Sequence, residues 1–265
     1  MSDARPSAVI ILAAGEGTRM KSKTPKVLHP IGGDTLLGHA MRAASGAGAD
    51  STVVVIRHQR DRVAAYVEER NASSSTPVIV ADQDEVKGTG RAAECGLDAL
   101  PPDLTGTVVV TMGDVPLLTA ETISALTAAH VEAGAVATVM TSVLEDAKMY
   151  GRIIRGADGS VERIVEFKDA TEPERAVREI NSGIYAFDLD VLRRQLPRVG
   201  TDNAQGEKYI TDVIALAREE GGHVIAHVLE DLWQTEGVND RTQLAQLGRV
   251  LNDRVCERHM RAGVT

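Results

Sequence analysis

Aromatic residues are scarce in this chain, since two Phe, four Tyr and one Trp make up 3% of its 265 residues. Proteins that bind single-stranded nucleic acid stack bases on aromatic side chains, so this scarcity argues against such a platform. The charge balance agrees, because 29 Lys and Arg against 38 Asp and Glu give a net charge of −9. A nucleic-acid-binding domain is normally basic. We therefore expect no nucleic-acid partner.

Cysteine is also rare, with Cys95 and Cys256 far apart and no C-x-x-C pair. This spacing excludes a disulfide framework and a thiolate zinc site. The longest apolar runs, such as residues 8–14, have the length of a strand and fall far below the ~18 residues of a membrane span. Residues 1–6 lack the apolar core of a signal peptide. We expect a cytoplasmic protein that does not contact a membrane.

Short apolar runs alternate with stretches of helical period in the first half of the chain. The runs predict buried strands at 8–12, 52–56, 78–81 and 107–111, and the stretches between them predict helices at 35–47, 60–70 and 90–100. Asp34 is the expected N-cap of the first helix. This alternation favours a doubly wound α/β sheet with parallel strands. Such sheets bind ligands beyond the carboxyl ends of their strands, which singles out the loops 13–18 and 112–116.

The pattern changes beyond residue 134. Strand-like pieces occur at 136–144, 152–154, 161–165 and 184–187, and they favour an antiparallel subregion added to the mostly parallel sheet. Residues 241–261 predict an amphipathic helix with an apolar stripe on one side, formed by Leu244, Leu247, Leu251 and Val255. Because no Pro- or Ser-rich linker precedes this helix, we expect it to pack on the same domain.

The loop after the first predicted strand contains Gly15 and Gly17. Small residues in this position let backbone N–H groups surround phosphate oxygens, although the glycines alone also suit a plain turn between strand and helix. Met20 stands where a dinucleotide fingerprint needs a third small residue and where a P-loop needs its second glycine, so neither motif is present. Three nearby cations in an acidic protein favour a phosphate site, namely Arg19, Lys21 and Lys26.

The loop and its continuation resemble the signature of the sugar-nucleotide pyrophosphorylases. The resemblance begins at Leu12-Ala-Ala-Gly-Glu-Gly-Thr-Arg-Met-Lys-Ser22 and Thr24-Pro-Lys-Val-Leu-His29. It continues in order through Gly88-Thr-Gly90, Gly113-Asp-Val-Pro-Leu117, Tyr150-Gly-Arg-Ile153, Ile164 to Ala170, Glu179 to Gly183, Asn203-Ala-Gln-Gly-Glu207 and Glu236-Gly-Val-Asn239. The set spans nearly the whole chain and is most similar to the uridylyltransferase domain of bifunctional bacterial members.

This resemblance implies a Rossmann-like nucleotidyltransferase fold and a particular reaction. The reaction joins UTP to N-acetylglucosamine 1-phosphate, releases pyrophosphate and forms UDP-N-acetylglucosamine for cell-wall precursor synthesis. An in-line attack of one phosphate on another needs positioning and charge neutralisation rather than a protein nucleophile. By the same resemblance, Mg²⁺ is the cofactor and Asp114 and Asn239 are its protein ligands. Two side-chain oxygens suffice, because Mg²⁺ keeps several waters and substrate phosphates.

The resemblance also distributes roles among other residues. It implies that Arg19, Lys26 and Asp114 are catalytic, with Arg19 beside the leaving pyrophosphate and Lys26 on the phosphates of UTP. The implied nucleotide-binding residues are Leu12, Ala13, Ala14, Gly15, Gly17, Lys26, Gln83, Gly88 and Thr89. The implied sugar-binding residues are Met112, Gly113, Gly151, Glu166, Asn181 and Asn239.

The chain departs from the usual family pattern near both substrate regions. Val86, Lys87 and Arg91 stand where Gln or Pro, Leu and His are common. Lys208 replaces a common tyrosine, and Met112 occupies a position that is often polar or aromatic. These departures bear on the selection of the base and of the sugar. Two alternatives therefore stay open: another sugar-1-phosphate nucleotidyltransferase that uses dTTP or glucose 1-phosphate, and a catalytically silent sensor of nucleotide sugars.

The bifunctional relatives also acetylate glucosamine 1-phosphate, in a C-terminal left-handed β-helix with an aliphatic residue at every sixth position. No such hexapeptide repeat occurs here. We expect a nucleotidyltransferase domain at 1–240, a C-terminal helix at 241–265 that would lead into the β-helix, and no acetyltransferase activity in this chain. We also expect the longer protein to be a homotrimer and this chain to be a monomer.

Overall fold

A computed structural model describes residues 4–72 and 76–265, so residues 1–3 of the segment considered above for a signal peptide lie outside the described residues. The described residues form eleven strands and eight α-helices. The strands are β1 Ala8–Leu12, β2 Pro30–Ile31, β3 Asp34–Thr35, β4 Ser51–Ile56, β5 Ile79–Asp82, β6 Thr107–Met112, β7 Ala137–Val143, β8 Arg152–Arg155, β9 Val161–Val165, β10 Glu179–Asp188 and β11 Val224–Val228. The helices are α1 Leu36–Gly46, α2 Arg60–Asn71, α3 Thr89–Asp98, α4 Ala120–Glu132, α5 Glu172–Arg175, α6 Leu189–Gln195, α7 Asp212–Glu219 and α8 Arg241–Arg261.

Nine of these strands form one sheet, and β2 and β3 form a separate small hairpin. The main order is β11-β7-β10-β6-β1-β4-β5, with β8 paired to β10 and β9 paired to β8. Strand β1 runs parallel to β4 and β6, and β4 runs parallel to β5. Strand β10 runs antiparallel to β6, β7 and β8. The expected fold, a mostly parallel doubly wound sheet with an antiparallel subregion, is confirmed.

The sheet is covered by helices on both faces, which explains why its central strands are continuously apolar. In β1, Ile10 belongs to a core that includes residues of α3, α6 and α7. The neighbouring Val9 and Ile11 belong to the opposite core, which includes residues of α1, α2 and α4. All five residues of β1 are buried, so this strand lies at the centre of the molecule.

The start of α1 differs from the prediction. Its N-cap is Thr35, whose hydroxyl accepts a hydrogen bond from the Gly38 backbone N–H at 2.9 Å, so the assignment of this role to Asp34 was wrong. Asp34 lies one residue too early to cap the helix. Its buried carboxylate instead accepts a hydrogen bond from the Tyr66 hydroxyl at 3.0 Å and pairs with Arg42 and Arg70. It therefore joins α1 to α2.

The C-terminal helix α8 packs on the rest of the chain through part of its apolar stripe. Leu247 is buried in a small core that includes Met20 and Leu117, and Leu244 and Leu251 are partly buried against it. The side chain of Asp240 caps the helix by accepting a hydrogen bond from the Gln243 N–H. Within residues 4–72 and 76–265, no helix is long and apolar enough to span a membrane.

Candidate functional site

The carboxyl ends of β1, β4, β5 and β6 meet at one edge of the sheet, and the loops that leave them form a cleft of about 400 Å³. Backbone hydrogen bonds fix the first residue of three of these loops: Ala13 to Val55 at 2.8 Å, Gln83 to Ile56 at 2.9 Å and Gly113 to Leu12 at 2.9 Å. The wall consists of Leu12, Ala13, Ala14, Gly15, Glu16, Lys26, Val27, Arg57, Gln83, Lys87, Gly88, Thr89, Ala92, Met112, Asp114 and Glu207.

The glycine-containing loop is packed closely against Lys26. Gly17 has a φ of +64°, and a Cβ atom there would lie 2.5 Å from the Cβ of Lys26. A side chain at residue 17 would therefore displace Lys26 as well as strain the backbone. The far end of the loop is held by Arg241, whose guanidinium donates hydrogen bonds to the carbonyls of Met20 at 2.9 Å and Lys21 at 3.1 Å.

Lys26, Asp114 and Asn239 come together from three distant parts of the chain. The Lys26 ammonium donates a hydrogen bond to the Asp114 carboxylate and lies 3.4 Å from the Asn239 side-chain oxygen. Both charged side chains are largely buried, with 13% of Lys26 and 18% of Asp114 exposed. Two backbone contacts place Asn239 there, because the Val238 N–H donates to the Asp114 carbonyl and the Asn239 N–H donates to Gln243. The two oxygens thus converge on one positive charge.

The opposite wall of the cleft is built from residues 83–90. The Gln83 amide donates to the backbone carbonyls of Val86 at 2.8 Å and Gly88 at 3.2 Å, so this side chain shapes the wall that it lines. Gly88 has a φ of +114°, and a Cβ atom there would lie 2.1 Å from the Lys208 carbonyl oxygen. The Thr89 hydroxyl accepts a hydrogen bond from the Ile210 N–H at 3.2 Å. Residues 87–90 therefore lie against the segment that leads into α7.

Gly151, Glu166 and Asn181 form a second group. The Asn181 N–H donates to the Gly151 carbonyl at 2.9 Å, and a Cβ atom at Gly151 would lie 3.5 Å from a carboxylate oxygen of Glu166. The Asn181 amide donates to the Tyr185 hydroxyl at 2.7 Å. Burial raises the pKa of Glu166, and the nearby Asp169 adds to the shift. The group is therefore a largely buried polar cluster around one carboxyl group.

This second group adjoins the cleft rather than lining it. Glu166 faces a neighbouring depression of about 350 Å³. Met112 lines the cleft and reaches toward β10, since a Cβ atom at Gly183 would lie 3.2 Å from its terminal methyl group.

Some expected residues lie elsewhere. The described residues that form the cleft wall do not include Arg19, Gly17 or Gly113. Arg19 is exposed, Gly17 packs behind Lys26, and Gly113 lies against Ala13.

Several residues of the site were not assigned to it from the sequence. Arg57 and Lys87 bring two further positive charges to the cleft, and Glu16 and Glu207 bring two negative ones. Arg57 directly follows β4, so its place at the carboxyl end of a predicted strand was an available signal. The Tyr150 hydroxyl donates to Glu236 at 3.1 Å, and burial together with Glu236 and Asp114 raises the pKa of Tyr150. No local sequence pattern predicts the contact between Tyr150 and Glu236.

The glycine loop follows β1, Asp114 follows β6, and Lys26 pairs with Asp114 at this edge of the sheet, where open α/β sheets bind their ligands. The chain belongs to the family of the MobA-like NTP transferase domain, whose model matches residues 9–176. Two solved structures under 25% identical share the fold. One is described as UDP-glucose pyrophosphorylase complexed with UDP-glucose, at a TM-score of 0.74 and 17% identity, covering 94% of this chain and 99% of that one. The other is a putative glucose-1-phosphate thymidylyltransferase from Bacillus anthracis, at 0.72 and 20%, covering 93% and 95%.

Curated relatives at higher identity carry one name. The chain is 56% identical over 271 residues to the bifunctional protein GlmU of Micrococcus luteus, covering 99% of this chain and 54% of that protein. It is 57% identical over 262 residues to the bifunctional protein GlmU of Pseudarthrobacter chlorophenolicus, covering 98% and 52%. The resemblance to the bifunctional bacterial enzymes is thus confirmed. The chain spans about half the length of these relatives.

Proposed function

We propose that this chain transfers a uridylyl group from UTP to N-acetylglucosamine 1-phosphate and forms UDP-N-acetylglucosamine and pyrophosphate. The observation that carries the proposal is the convergence of Lys26, Asp114 and Asn239 beside a glycine loop suited to phosphate. The similarity to proteins named GlmU supports the choice among nucleotidyltransferases. The product is an activated sugar, the form in which a cell supplies N-acetylglucosamine for cell-wall precursors.

In the proposed reaction, a phosphate oxygen of the sugar phosphate attacks the α-phosphorus of UTP. A new phosphorus–oxygen bond forms, and the bond from the α-phosphorus to the oxygen that bridges it to the β-phosphorus breaks. The electron pair of that bond leaves with pyrophosphate. The barrier comes mainly from bringing anions together, so the protein acts by alignment and by neutralising charge.

The cations of the cleft support this proposal. The Lys26 ammonium is largely buried, and its charge acts in a setting where water screens it weakly. Arg57 and Lys87 line the same cleft and add positive charge along it. We assign Lys26 to the phosphates of UTP. Arg19, which is exposed on the glycine loop, is assigned to the leaving pyrophosphate.

The residues present fit a divalent cation. The carboxylate of Asp114 and the amide oxygen of Asn239 both point at one positive charge, the Lys26 ammonium, and oxygen ligands are those that Mg²⁺ prefers. We propose that these two side chains hold Mg²⁺, which when bound supplies charge neutralisation at the reacting phosphates. No group of three or more His, Cys, Asp or Glu side chains suited to a metal occurs within residues 4–72 and 76–265. A site with two protein ligands therefore has to share its cation with substrate and water.

The two walls suggest how the substrates are divided. Residues 12–15, Gln83, Gly88 and Thr89 line the cleft, and we assign them to the nucleotide, with the backbone approaching the base closely at Gly88. We assign Gly151, Glu166 and Asn181 to the acetylated sugar, with Met112 and Gly113 at the junction. A buried carboxylate beside an amide suits a sugar that presents hydroxyl and N–H donors.

A panel of reactions tests the proposal. Pyrophosphate release is measured for UTP, CTP, dTTP and ATP, each with N-acetylglucosamine 1-phosphate, glucosamine 1-phosphate and glucose 1-phosphate in the presence of Mg²⁺. We expect the highest kcat/KM for UTP with N-acetylglucosamine 1-phosphate. A higher value for dTTP or glucose 1-phosphate would assign the chain to another sugar-phosphate specificity. Binding of UDP-N-acetylglucosamine with no turnover in any pair would indicate a sensor.

A further inference from the structure

Four charged side chains form a continuous network of ion pairs next to residues 83–90, the wall of the cleft that we assign to the nucleotide. Arg91 donates to Asp84 at 2.7 Å and to the Glu94 carboxylate at 2.7 Å. The Lys208 ammonium donates to the same Glu94 oxygen at 2.8 Å. Asp84 also accepts a hydrogen bond from the Val86 N–H, so the chain of pairs begins within the loop 83–90 itself. We call these four residues, Asp84, Arg91, Glu94 and Lys208, the ionic clamp.

The inner half of the ionic clamp is largely shielded from water. Only 16% of the Glu94 side chain and 11% of the Lys208 side chain are exposed. Burial by itself would raise the pKa of Glu94, but the hydrogen bonds from Lys208 and Arg91 outweigh it and the pKa lies below its usual value. Charges that are shielded and paired in this way are costly to separate, because each partner would be left uncompensated.

The ionic clamp joins two segments that face the cleft. Glu94 and Arg91 lie on α3, which begins at Thr89, and Lys208 lies on the segment before α7. Beside the ion pairs, the backbones of these segments are hydrogen-bonded, because the Gly90 N–H donates to the Lys208 carbonyl at 2.8 Å and the Lys208 N–H donates to the Lys87 carbonyl at 2.9 Å. Lys87 and Gly88 line the cleft from one segment and Glu207 lines it from the other.

We propose that Glu94 is a positioning residue that, through Arg91 and Lys208, fixes the wall of the cleft against which the base of the nucleotide lies. This inference rests on the proposed function. Glu94 itself is absent from the cleft wall within the described ranges, so it acts through the position of residues 86–90.

The test compares Glu94→Gln with a matched control, Glu220→Gln. Glu220 also accepts hydrogen bonds from two arginines, Arg194 and Arg198, and lies at the end of α7. Removing the charge of Glu94 leaves two cations without their shared partner. We expect Glu94→Gln to raise the KM for UTP about tenfold, with smaller changes in kcat and in the KM for the sugar phosphate. The reason is that the lost charged hydrogen bonds affect only the placement of the base. The UTP-to-CTP ratio of kcat/KM should fall, and Glu220→Gln should match the wild type.

A double-mutant cycle and a measurement without substrate complete the test. Lys208→Met should reproduce the effect of Glu94→Gln, and the double variant should be no worse than either, because both changes break the same pair. Hydrogen exchange of the Gly90 and Lys208 amides should be faster in Glu94→Gln, with the Ile10 amide in the central strand unchanged.

The outcomes separate the two proposals. If the wild type shows no turnover but amide exchange is faster in Glu94→Gln, the proposed function is contradicted and the structural role of the ionic clamp stands. An active Glu94→Gln with unchanged exchange, or with additive effects in the cycle, would overturn the role of Glu94. Equal losses of kcat with UTP and CTP at unchanged KM would also overturn it.

Discussion

The Lys26 ammonium pairs with the Asp114 carboxylate across 88 residues of sequence. Lys26 is fixed by the short 3-10 turn Lys26–Leu28 and by the buried Val27, and Asp114 follows the end of β6. Each partner thus stands on a segment anchored by the core. Loss of either residue would leave the other charge largely buried without its partner, so their effects on activity should be interdependent.

Removal of either proposed metal ligand should abolish most turnover. Asp114→Ala and Asn239→Ala should each lower kcat about 100-fold or more, because a charge-stabilising contact at the reacting phosphates is lost. Steady-state pyrophosphate release at saturating Mg²⁺ measures this, and thermal unfolding checks that the fold persists. Asp253→Ala, which changes an exposed carboxylate on α8, is the matched control. Near wild-type turnover in either ligand variant would refute the metal assignment.

Lys26→Ala should weaken the use of UTP more than the use of the sugar phosphate. The physical reason is that a buried ammonium assigned to the nucleotide phosphates is removed, which should raise the KM for UTP about tenfold or more. Each substrate is varied in turn at saturating concentration of the other. Lys23→Ala removes an exposed cation from the same segment and should leave both constants unchanged. If Lys26→Ala changes only the KM for the sugar phosphate, the assignment of Lys26 to UTP is wrong.

Glu166→Gln should reduce the preference for N-acetylglucosamine 1-phosphate over glucose 1-phosphate. The carboxylate is assigned to the acetylated sugar, and replacing it leaves polar groups unsatisfied, so the ratio of kcat/KM values should fall about tenfold. Glu162→Gln changes an exposed carboxylate on β9, the strand that ends just before Glu166, and serves as the control. If the ratio is the same in all three proteins, Glu166 does not contact the sugar.

His130 should make the folded state less stable in acid. Its imidazole is 3% exposed and 3.0 Å from the Thr138 hydroxyl, and burial lowers its pKa to about 4 from an ordinary 6.5. Between these values the unfolded chain binds a proton that the folded chain does not, so stability is full above pH 6.5 and is lost as the pH falls toward 4. The total is about 3 kcal/mol.

Urea unfolding at pH 7.5 and pH 5 measures this loss. Between pH 7.5 and pH 5, the free energy of unfolding should fall by about 2 kcal/mol more in the wild type than in His130→Gln. His259→Gln, at an exposed position of α8, should keep the wild-type pH dependence. Equal losses in the wild type and His130→Gln would show that other groups account for the acid sensitivity.

Most of the central sheet could be predicted from the sequence, because β1, β4 and β6 are buried on both faces and are almost continuously apolar. The helix α4 was missed, since its sequence of small and polar residues carries little helical periodicity. The strand β10 begins at Glu179 and not at the predicted residue 184. The prediction missed the first part of the strand because several of its residues are polar and the register shifts between Asn181 and Tyr185. A strand with polar residues is not recognised from its sequence pattern, because its pairing with neighbouring strands exists only in the folded sheet.

The site shows the same division. The motifs placed Lys26, Asp114 and Asn239 in one functional set, and the structure brings them together. Glu166, which the motifs assign to the sugar, faces a neighbouring depression, and its assignment stays a prediction. The contact of Glu94 with Lys208 spans 114 residues and carries no local pattern. The roles of all these residues, the Mg²⁺ ion and the boundary at residue 240 stay predictions.

The position of Asn239 and Arg241 at the start of α8 has a consequence for synthesis of the protein. The glycine loop, Lys26 and Asp114 leave the ribosome early, but the second proposed metal ligand and the guanidinium that holds the carbonyls of Met20 and Lys21 come more than a hundred residues later. The eleven strands of the described residues all precede Asn239 and Arg241 in the sequence, so the strands are synthesised before the proposed cation site is complete. Until α8 docks, the proposed cation site lacks one of its two protein ligands and the glycine loop lacks the contact from Arg241, so we expect a chain that ends before Asn239 to bind UTP more weakly than the whole chain.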